Sequence, residues 1–241
     1  MDRYTRKAVD GGVPFRASDS PFWLPAPDQV IWRYADLWKV QKLLTDGEMY
    51  LRRSDKLDDD LEGRYATANR FVCTPLEESF NRHYNIVSDF DAMSASNNIQ
   101  RQMIFISCWR METHEDRFMW DTFTQSRDAV AIVTTAAGLY NRLGNGVWIS
   151  GVNYRRECEP VPTHHSLGPY VFKQRDFWRE QELRVLSQGS AESGIVHRLQ
   201  NTRMIVRVVT HPRCSSRFSE RVRDLCRNTI PWAEVVRSSL F

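Results

Sequence analysis

The stretch "MIFISCW", Met103 to Trp109, decides how the chain is expected to fold. Its apolar side chains are interrupted only by Ser107, and such a run predicts a buried strand. A hydroxyl inside an apolar run needs a hydrogen-bond partner, which an ordinary core serine also finds. The pattern "DRFMWDTFTQ" (116–125) then predicts a short amphipathic helix, and "AVAIVTT" (129–135) predicts the next strand.

Strand patterns recur on both sides of this stretch, with several following one another across turns alone. They are "VIWRY" (30–34), "MYLRRS" (49–54), "GVWISGVNY" (146–154), "ELRVLS" (182–187), "MIVRVVT" (204–210) and "WAEVVRSS" (232–239). Because helices do not alternate regularly with these strands, we expect an α+β protein with mostly antiparallel sheets.

Three further segments carry helix patterns. Residues 36–47 place apolar residues on one helical face, with Asp36 as the expected N-cap and Gly47 in the left-handed position after the helix. Residues 74–87 open with a capping box and a proline at the first helical position. Residues 218–228 form the third pattern, "FSERVRDLCRN".

Composition suggests how the chain is divided and where it resides. We expect residues 1–29 to form an irregular N-terminal arm packed by Phe22 and Trp23, and residues 30–241 to form one α+β catalytic domain. No apolar run is long enough for a membrane helix or a signal peptide. The five cysteines show no C-x-x-C spacing, which favours reduced thiols and a cytoplasmic location.

Common catalytic and binding motifs are missing from the sequence. It contains no G-x-G-x-x-G, no G-x-x-x-x-G-K-[ST], no G-x-S-x-G and no H-E-x-x-H. No cysteine pair has zinc spacing, so we predict no metal site.

The segment "FWREQELRV" (177–185) carries the most promising carboxylates, Glu180 and Glu182. In an extended segment these two and Arg184 would lie on one face, and burial of two such acids would raise the pKa of one of them. The alternative is a set of exposed ion pairs, which are abundant on protein surfaces. Arg33 on the first strand and Ser107 on a middle strand precede these glutamates and complete an ordered set of arginine, serine and Glu-x-Glu. The guanidinium of Arg33 is suited to binding a diphosphate or a carboxamide.

That order of arginine, serine and Glu-x-Glu resembles the signature of the ADP-ribosyltransferase fold. The resemblance implies a split, mostly antiparallel β-sandwich with flanking helices that binds NAD as substrate. It assigns Arg33 to a phosphate or ribose of NAD, Ser107 to the nicotinamide pocket and Glu182 to the ribose, while Glu180 orients the nucleophile.

Two aromatic residues are further candidates for the NAD site. Trp120 is a candidate wall of the nicotinamide pocket and Tyr34 lies beside Arg33, although core packing is the alternative for each.

A second resemblance, spanning about Val30 to Ser187, is to the bacterial domain of unknown function 2971 family. Here "LDDDLEG" stands where that family has an asparagine- and proline-containing loop, and Phe123 stands in place of a tyrosine. The segments that carry the resemblance are "WRY", "SDKLDDDLEGR", "ISCWR", "FMWDTF", "AVAIVT", "VNY" and "FWREQELRV".

The resemblance to the transferases implies that ADP-ribose passes to a macromolecule, either nucleic acid or protein, or to water. It also implies a toxin or phage-defence effector with an antitoxin or defence partner, and no membrane partner. A row of arginines in the last forty residues suits a nucleic-acid target or an acidic partner, although a solvated strand and helix face is the more common reason for such a row: Arg203, Arg207, Arg213, Arg217, Arg221, Arg223 and Arg227.

Two other functions stay open from the sequence. One is a metal-dependent nuclease or phosphoesterase, in which acidic residues hold Mg²⁺. The other is a non-catalytic binding module of a defence complex, in which the glutamates are structural. The metal-binding residues of the nuclease would be Asp58, Asp59, Asp60, Glu180 and Glu182.

Overall fold

The computed structural model describes residues 21–72, 89–156, 158–163 and 165–240. They form a mixed α+β fold with one large, mostly antiparallel sheet and several helices. The strands are β1 (Val30–Asp36), β2 (Glu48–Arg53), β3 (Ile104–Met111), β4 (Ala129–Thr135), β5 (Val147–Gly151), β6 (Asn153–Arg155), β7 (Phe172–Gln174), β8 (Glu182–Gln188), β9 (Gly194–Arg198), β10 (Arg207–Thr210) and β11 (Glu234–Arg237).

The helices are short, and none in the described ranges is long and apolar enough to cross a membrane. They are α1 (Leu37–Asp46), α2 (Asn69–Val72), α3 (Asp89–Gln100), α4 (Arg117–Phe123), α5 (Ala136–Tyr140) and α6 (Ser216–Thr229), with 3₁₀ turns at Ser54–Lys56, Gly168–Val171 and Arg175–Glu180.

Strand β3 is the centre of the sheet, and the sheet splits along one of its edges. Its other edge pairs with β8 from Ile104 to Arg110 without interruption. On the splitting edge, Phe105 and Ile106 pair with β2, whereas Arg110 and Met111 pair with β1. On the splitting edge one half of the sheet therefore continues through β1, β4, β10 and β11 and the other through β2 and β9, while β8 and β5 extend the sheet from the opposite edge of β3. The "MIFISCW" segment thus forms the strand predicted from its apolar run, and it joins both halves.

Side chains alternate along each strand and so point to the two faces of the sheet. Both faces are buried. The face covered by α1 and α6, which we call the helix face, contains Ile31, Phe105, Trp109, Ile132, Leu183 and Val185. The opposite face, which we call the loop face, contains Trp32, Tyr34, Ile104, Ile106, Ala131 and Leu186, packed against α4 and the segment 161–172.

Helix α1 confirms most of the prediction for residues 36–47. Its apolar row is buried, and Gly47 adopts the left-handed conformation with φ of 69°. The Asp36 side chain, however, does not cap the helix. It accepts hydrogen bonds from the backbone N–H groups of Gln125 and Ser126 instead, because it lies on the loop face next to the end of α4.

Other predicted boundaries change where strands bend. "GVWISGVNY" divides at Val152 into β5 and β6, which belong to different sheets. "MIVRVVT" is a strand only from Arg207, because a turn precedes it in which the Ile205 N–H donates to the Thr202 carbonyl. Strands β7 and β9 and helix α3 were not predicted. The helix pattern at 74–87 lies outside the described residues.

Gly63 allows the acidic loop to approach the loop face closely, and it provides a test of the fold. Its φ is +69°, and a Cβ atom there would lie 2.4 Å from the buried Tyr170 ring. Gly146 is a matched control, because its φ is +75° and a Cβ atom would contact nothing within 4 Å.

We expect Gly146→Ala to lower the free energy of unfolding by about 1–2 kcal/mol through backbone strain alone. Gly63→Ala adds overpacking against Tyr170, so we expect a further loss of about 1–3 kcal/mol. Urea denaturation of both variants measures the difference. Equal losses would show that the loop does not pack against Tyr170 as described.

Candidate active site

Arg33 and Ser107 are in contact at the split, on the helix face. The Arg33 Nη1 donates to the Ser107 hydroxyl and, at 3.4 Å, to the Cys108 carbonyl, while Nη2 donates to the Tyr50 carbonyl at 3.5 Å. Its guanidinium lies 5.7 Å from the centroid of the Trp109 ring. Arg33 therefore fills the gap that opens between β1 and β2 and satisfies backbone carbonyls there.

Glu182 lies on the opposite face from Arg33 and Ser107, so the structure does not bring the three predicted residues together. Across β3 and β8, Ser107 is paired with Val185, whereas Arg110 is paired with Glu182. Directly paired residues share a face, and Ser107 and Arg110 are an odd number of positions apart. The arginine paired with Glu182 across the two strands is consequently Arg110, which is buried and bound to Asp116 at 2.8 Å.

Glu182 belongs to a buried ionic network on the loop face. Arg184 donates from Nε and Nη2 to the Glu182 carboxylate at 2.7 and 3.1 Å, and it binds both carboxylate oxygens of Glu62. Lys173 Nζ lies 2.7 Å from Glu180 Oε2 and 3.0 Å from Glu182 Oε1. The side chains of all five residues are at most 10% exposed.

The network contains three carboxylates and two cations, so it carries an excess negative charge when every group is ionised. Burial and the adjacent Glu182 raise the pKa of Glu180 to about 7, although Lys173 opposes the shift. Burial acts on Glu182 as well, but Arg184 and Lys173 outweigh it and hold the pKa of Glu182 well below its usual range. Near neutral pH, Glu180 can therefore exchange a proton while Glu182 stays ionised.

The turn between the two glutamates differs from the extended segment that we expected. Strand β8 begins at Glu182, so Glu182 and Arg184 share a face as predicted. Glu180, however, is the last residue of the 3₁₀ turn, and Gln181 between the glutamates has a left-handed φ of 43°. This turn brings both carboxylates to Lys173.

Two cavities lie near the network, and neither Glu180 nor Glu182 lines either of them. The larger is a groove of about 590 Å³ flanked by Trp23 and Trp178, and its wall includes Gln181 and Tyr154. The Tyr154 hydroxyl accepts a hydrogen bond of 2.8 Å from the Glu182 N–H. The smaller cavity is a pocket of about 120 Å³ whose lining includes Glu62, Lys173, Arg64, Arg155 and Arg156.

Tyr34 and Trp120 lie on the loop face, in a cluster of their own. Their rings meet edge to face with centroids 4.9 Å apart, and both side chains are buried. Trp120 Nε1 donates to Glu115 at 2.6 Å, and the Tyr34 hydroxyl accepts from the Asp116 N–H at 3.2 Å. Neither residue lines either cavity, so their contacts are those of core packing.

The acidic residues of the nuclease alternative do not assemble. Within the described ranges, no group of three or more His, Cys, Asp or Glu side chains is placed to hold a metal ion. Asp58 pairs with Arg52 at 3.2 Å, and Asp59 accepts from the Leu61 N–H at 2.9 Å. The carboxylate oxygens of Glu180 and Glu182 are instead paired with Lys173 and Arg184.

Sequence reasoning did not identify Lys173, Tyr154 or the pairing role of Glu62. Lys173 lies in a short strand, and no local pattern distinguishes it from an exposed lysine. Glu62 is one of several acids in "DKLDDDLEGR", and only its burial separates it from its neighbours. The Glu182–Arg184 pair was visible, because a spacing of two in a strand places both on one face.

Comparison of the chain with protein-family models, with curated proteins and with solved structures finds no match.

Glu180 gives the network a measurable pH dependence. Its pKa of about 7 exceeds the ordinary value of 4.5, so the folded protein holds this proton more tightly than the unfolded chain. The stability it contributes is therefore complete below pH 4.5 and is lost as the pH rises through 7. Across this window we expect the difference in unfolding free energy between wild type and Glu180→Gln to change by up to about 3 kcal/mol.

Urea denaturation at pH 4.5, 6, 7 and 8 measures this difference, and comparison with wild type cancels the contributions of other titrating groups. Glu192→Gln is the control, because Glu192 is an exposed carboxylate outside the network. Parallel stability curves for wild type and Glu180→Gln would contradict the assignment of the raised pKa to Glu180.

Proposed function

We propose that this chain cleaves the nicotinamide–ribose bond of NAD and transfers ADP-ribose to a macromolecule, in the manner of the ADP-ribosyltransferase fold it resembles. The observation that carries the proposal is the buried Glu180–Lys173–Glu182 arrangement, in which the Glu182 N–H donates to Tyr154 in the wall of a groove flanked by tryptophans. The large, mostly antiparallel sheet that divides at β3 supports the proposal, and the residues of the site differ from those the resemblance assigned.

The groove suits the nicotinamide end of NAD. Its volume of about 590 Å³ is in the range of small-molecule sites, and Trp23 and Trp178 are 39% and 56% exposed. The nicotinamide ring of NAD is flat and positively charged, and a cation held over an indole face is attracted by the ring electrons.

The pocket suits the diphosphate. Arg64, Arg155 and Arg156 line it, and guanidinium groups bind phosphate oxygens through paired N–H donors. In this arrangement these arginines take the role that the resemblance gave to Arg33, because Arg33 holds the split of the sheet together on the other face.

The excess negative charge of the network matches the charge that develops in the reaction. When the C1′–N bond breaks, its electron pair leaves with nicotinamide and the ribose becomes an oxocarbenium ion. A negative site stabilises that cation directly. A hydroxyl of the acceptor then attacks C1′, and its proton passes to the Glu180 carboxylate and on to solvent. Glu182 stays ionised throughout, held by Arg184 and Lys173.

Glu180→Gln removes the proton acceptor and leaves the shape of the side chain almost unchanged. We expect the rate of ADP-ribose transfer from NAD to the acceptor to fall by about 100-fold or more. The assay uses NAD labelled in the ADP-ribose part, with RNA, DNA and protein as acceptors and EDTA present. Glu192→Gln, an exposed carboxylate, is expected to keep the wild-type rate.

Four outcomes contradict the proposal. ADP-ribose transfer that is unaffected by Glu180→Gln removes the proposed base. Nucleic-acid cleavage that requires Mg²⁺ supports the nuclease alternative. The absence of both activities, together with a stable protein partner, supports the binding module. Loss of activity in a folded Ser107→Ala variant would place the substrate on the helix face instead.

Trp178→Ala tests the groove separately from the chemistry. Loss of one cation–π contact of about 1–2 kcal/mol is expected to weaken NAD binding about tenfold. The affinity is measured by isothermal titration of NAD into variants that also carry Glu180→Gln, because this substitution prevents turnover during the measurement. Trp38→Ala is the matched control, because Trp38 is 71% exposed and lies on α1. Equal affinities for both variants would exclude Trp178 from the binding site.

A further inference from the structure

Helix α6 covers the helix face of the sheet with one side and presents arginines to solvent with the other. Phe218, Val222 and Cys226 are buried in the core below it. The exposed side carries two rows of arginines spaced four residues apart: Arg217 with Arg221, and Arg223 with Arg227.

These arginines are not explained by the stability of the helix. Like charges four residues apart destabilise a helix, and Arg217 lies in the first turn, where the helix dipole disfavours a cation. Arg227 binds Asp224 at 2.8 Å. Among the described residues, no carboxylate lies within 4 Å of the guanidinium groups of Arg217, Arg221 or Arg223, although Glu220 is on the same side of the helix.

The surrounding segment is basic as a whole. Residues 203–241 contain eight arginines, three acidic residues and no lysine, so their net positive charge exceeds the +3 of the entire chain. Positive charge is therefore concentrated at this end of the sequence, and α6 displays much of it.

An exposed tryptophan lies near the end of this helix. Trp232 follows α6 by three residues and is 45% exposed, and the Arg203 guanidinium is 5.7 Å from its ring centroid. Because α6 connects the parallel strands β10 and β11, Arg203 and Trp232 lie at the end of the helix opposite to Arg217. A helix of 14 residues is about 20 Å long, so the arginine rows extend over about that distance toward the end at which Trp232 lies.

We propose that this surface, consisting of the exposed side of α6 with Arg203 and Trp232, binds single-stranded nucleic acid. The guanidinium groups contact backbone phosphates, and the exposed indole stacks on an unpaired base. An exposed aromatic ring beside the cations distinguishes a single strand from a duplex, whose bases are stacked on each other. The surface lies on the helix face, opposite the ionic network, and the proposal is independent of NAD cleavage.

Fluorescence anisotropy with fluorescein-labelled dT20 and U20, between 50 and 300 mM salt, tests the proposal. The variant combines Arg217→Ala, Arg221→Ala and Arg223→Ala. We expect it to bind at least tenfold more weakly at 50 mM salt, with the slope of log affinity against log salt smaller by about 2, since each phosphate contact on a single strand contributes about 0.7. Trp232→Ala is expected to weaken binding and leave the slope unchanged.

The matched control replaces three exposed arginines elsewhere, Arg70, Arg117 and Arg127, and removes the same charge. Circular dichroism of both triple variants establishes that they are folded. Equal weakening by the two triple variants overturns the proposal, because the effect is then one of net charge alone. Competition by polyglutamate as strong as by dT20 overturns it in favour of an acidic protein, and tighter binding of a 20-base-pair duplex overturns the assignment to single strands.

Discussion

The buried guanidinium of Arg184 is the interaction on which the arrangement of the loop face depends. It forms five hydrogen bonds, two to Glu62, two to Glu182 and one to the Tyr170 carbonyl, which match its five N–H donors. These partners come from the acidic loop, from β8 and from the 3₁₀ turn before β7, so one side chain fixes three segments of the chain. Leaving a single buried partner uncompensated in such a network costs about 3–5 kcal/mol.

The stability of the folded protein alone does not explain why these ionic groups are buried. A buried ion pair can often be replaced by well-packed apolar residues with no loss of stability, because charges must be removed from water to form it. This network also contains one carboxylate more than its cations neutralise, and two of its members, Glu62 and Lys173, line the pocket of about 120 Å³. An unbalanced buried charge next to open space is the arrangement expected where a positive charge must be stabilised transiently.

Most of the secondary structure could be predicted from the sequence, because β3, β4 and α1 have apolar patterns that their packing preserves. The α+β class and the mostly antiparallel pairing followed from strands that succeed one another without helices. The role of the Asp36 side chain could not be predicted, because its hydrogen-bond partners are backbone groups about ninety positions away in the chain. The unpredicted β9 has alternating burial but ordinary residue types, and only its pairing with β2 makes it a strand.

The candidate site could be predicted only in part. The spacing of Glu182 and Arg184 revealed their common face, whereas Lys173 and Glu62 are brought to them by tertiary packing that local patterns do not encode. Arg33 and Ser107 were correctly associated with each other, but not with Glu182, because the order of residues in a sequence carries no information on the face of a sheet. That information resides in the register of β3 against β8.

This register also limits how the protein can evolve. An insertion or deletion of one residue within β3 would exchange its two faces, bringing Ser107 and Trp109 next to Glu182 and turning Arg110 into the apolar layer beneath α1 and α6. Both halves of the sheet share β3, so neither half could absorb the change alone. Over evolutionary time this strand can therefore accept substitutions but not changes in length, and length variation should be confined to loops such as the one between α5 and β5.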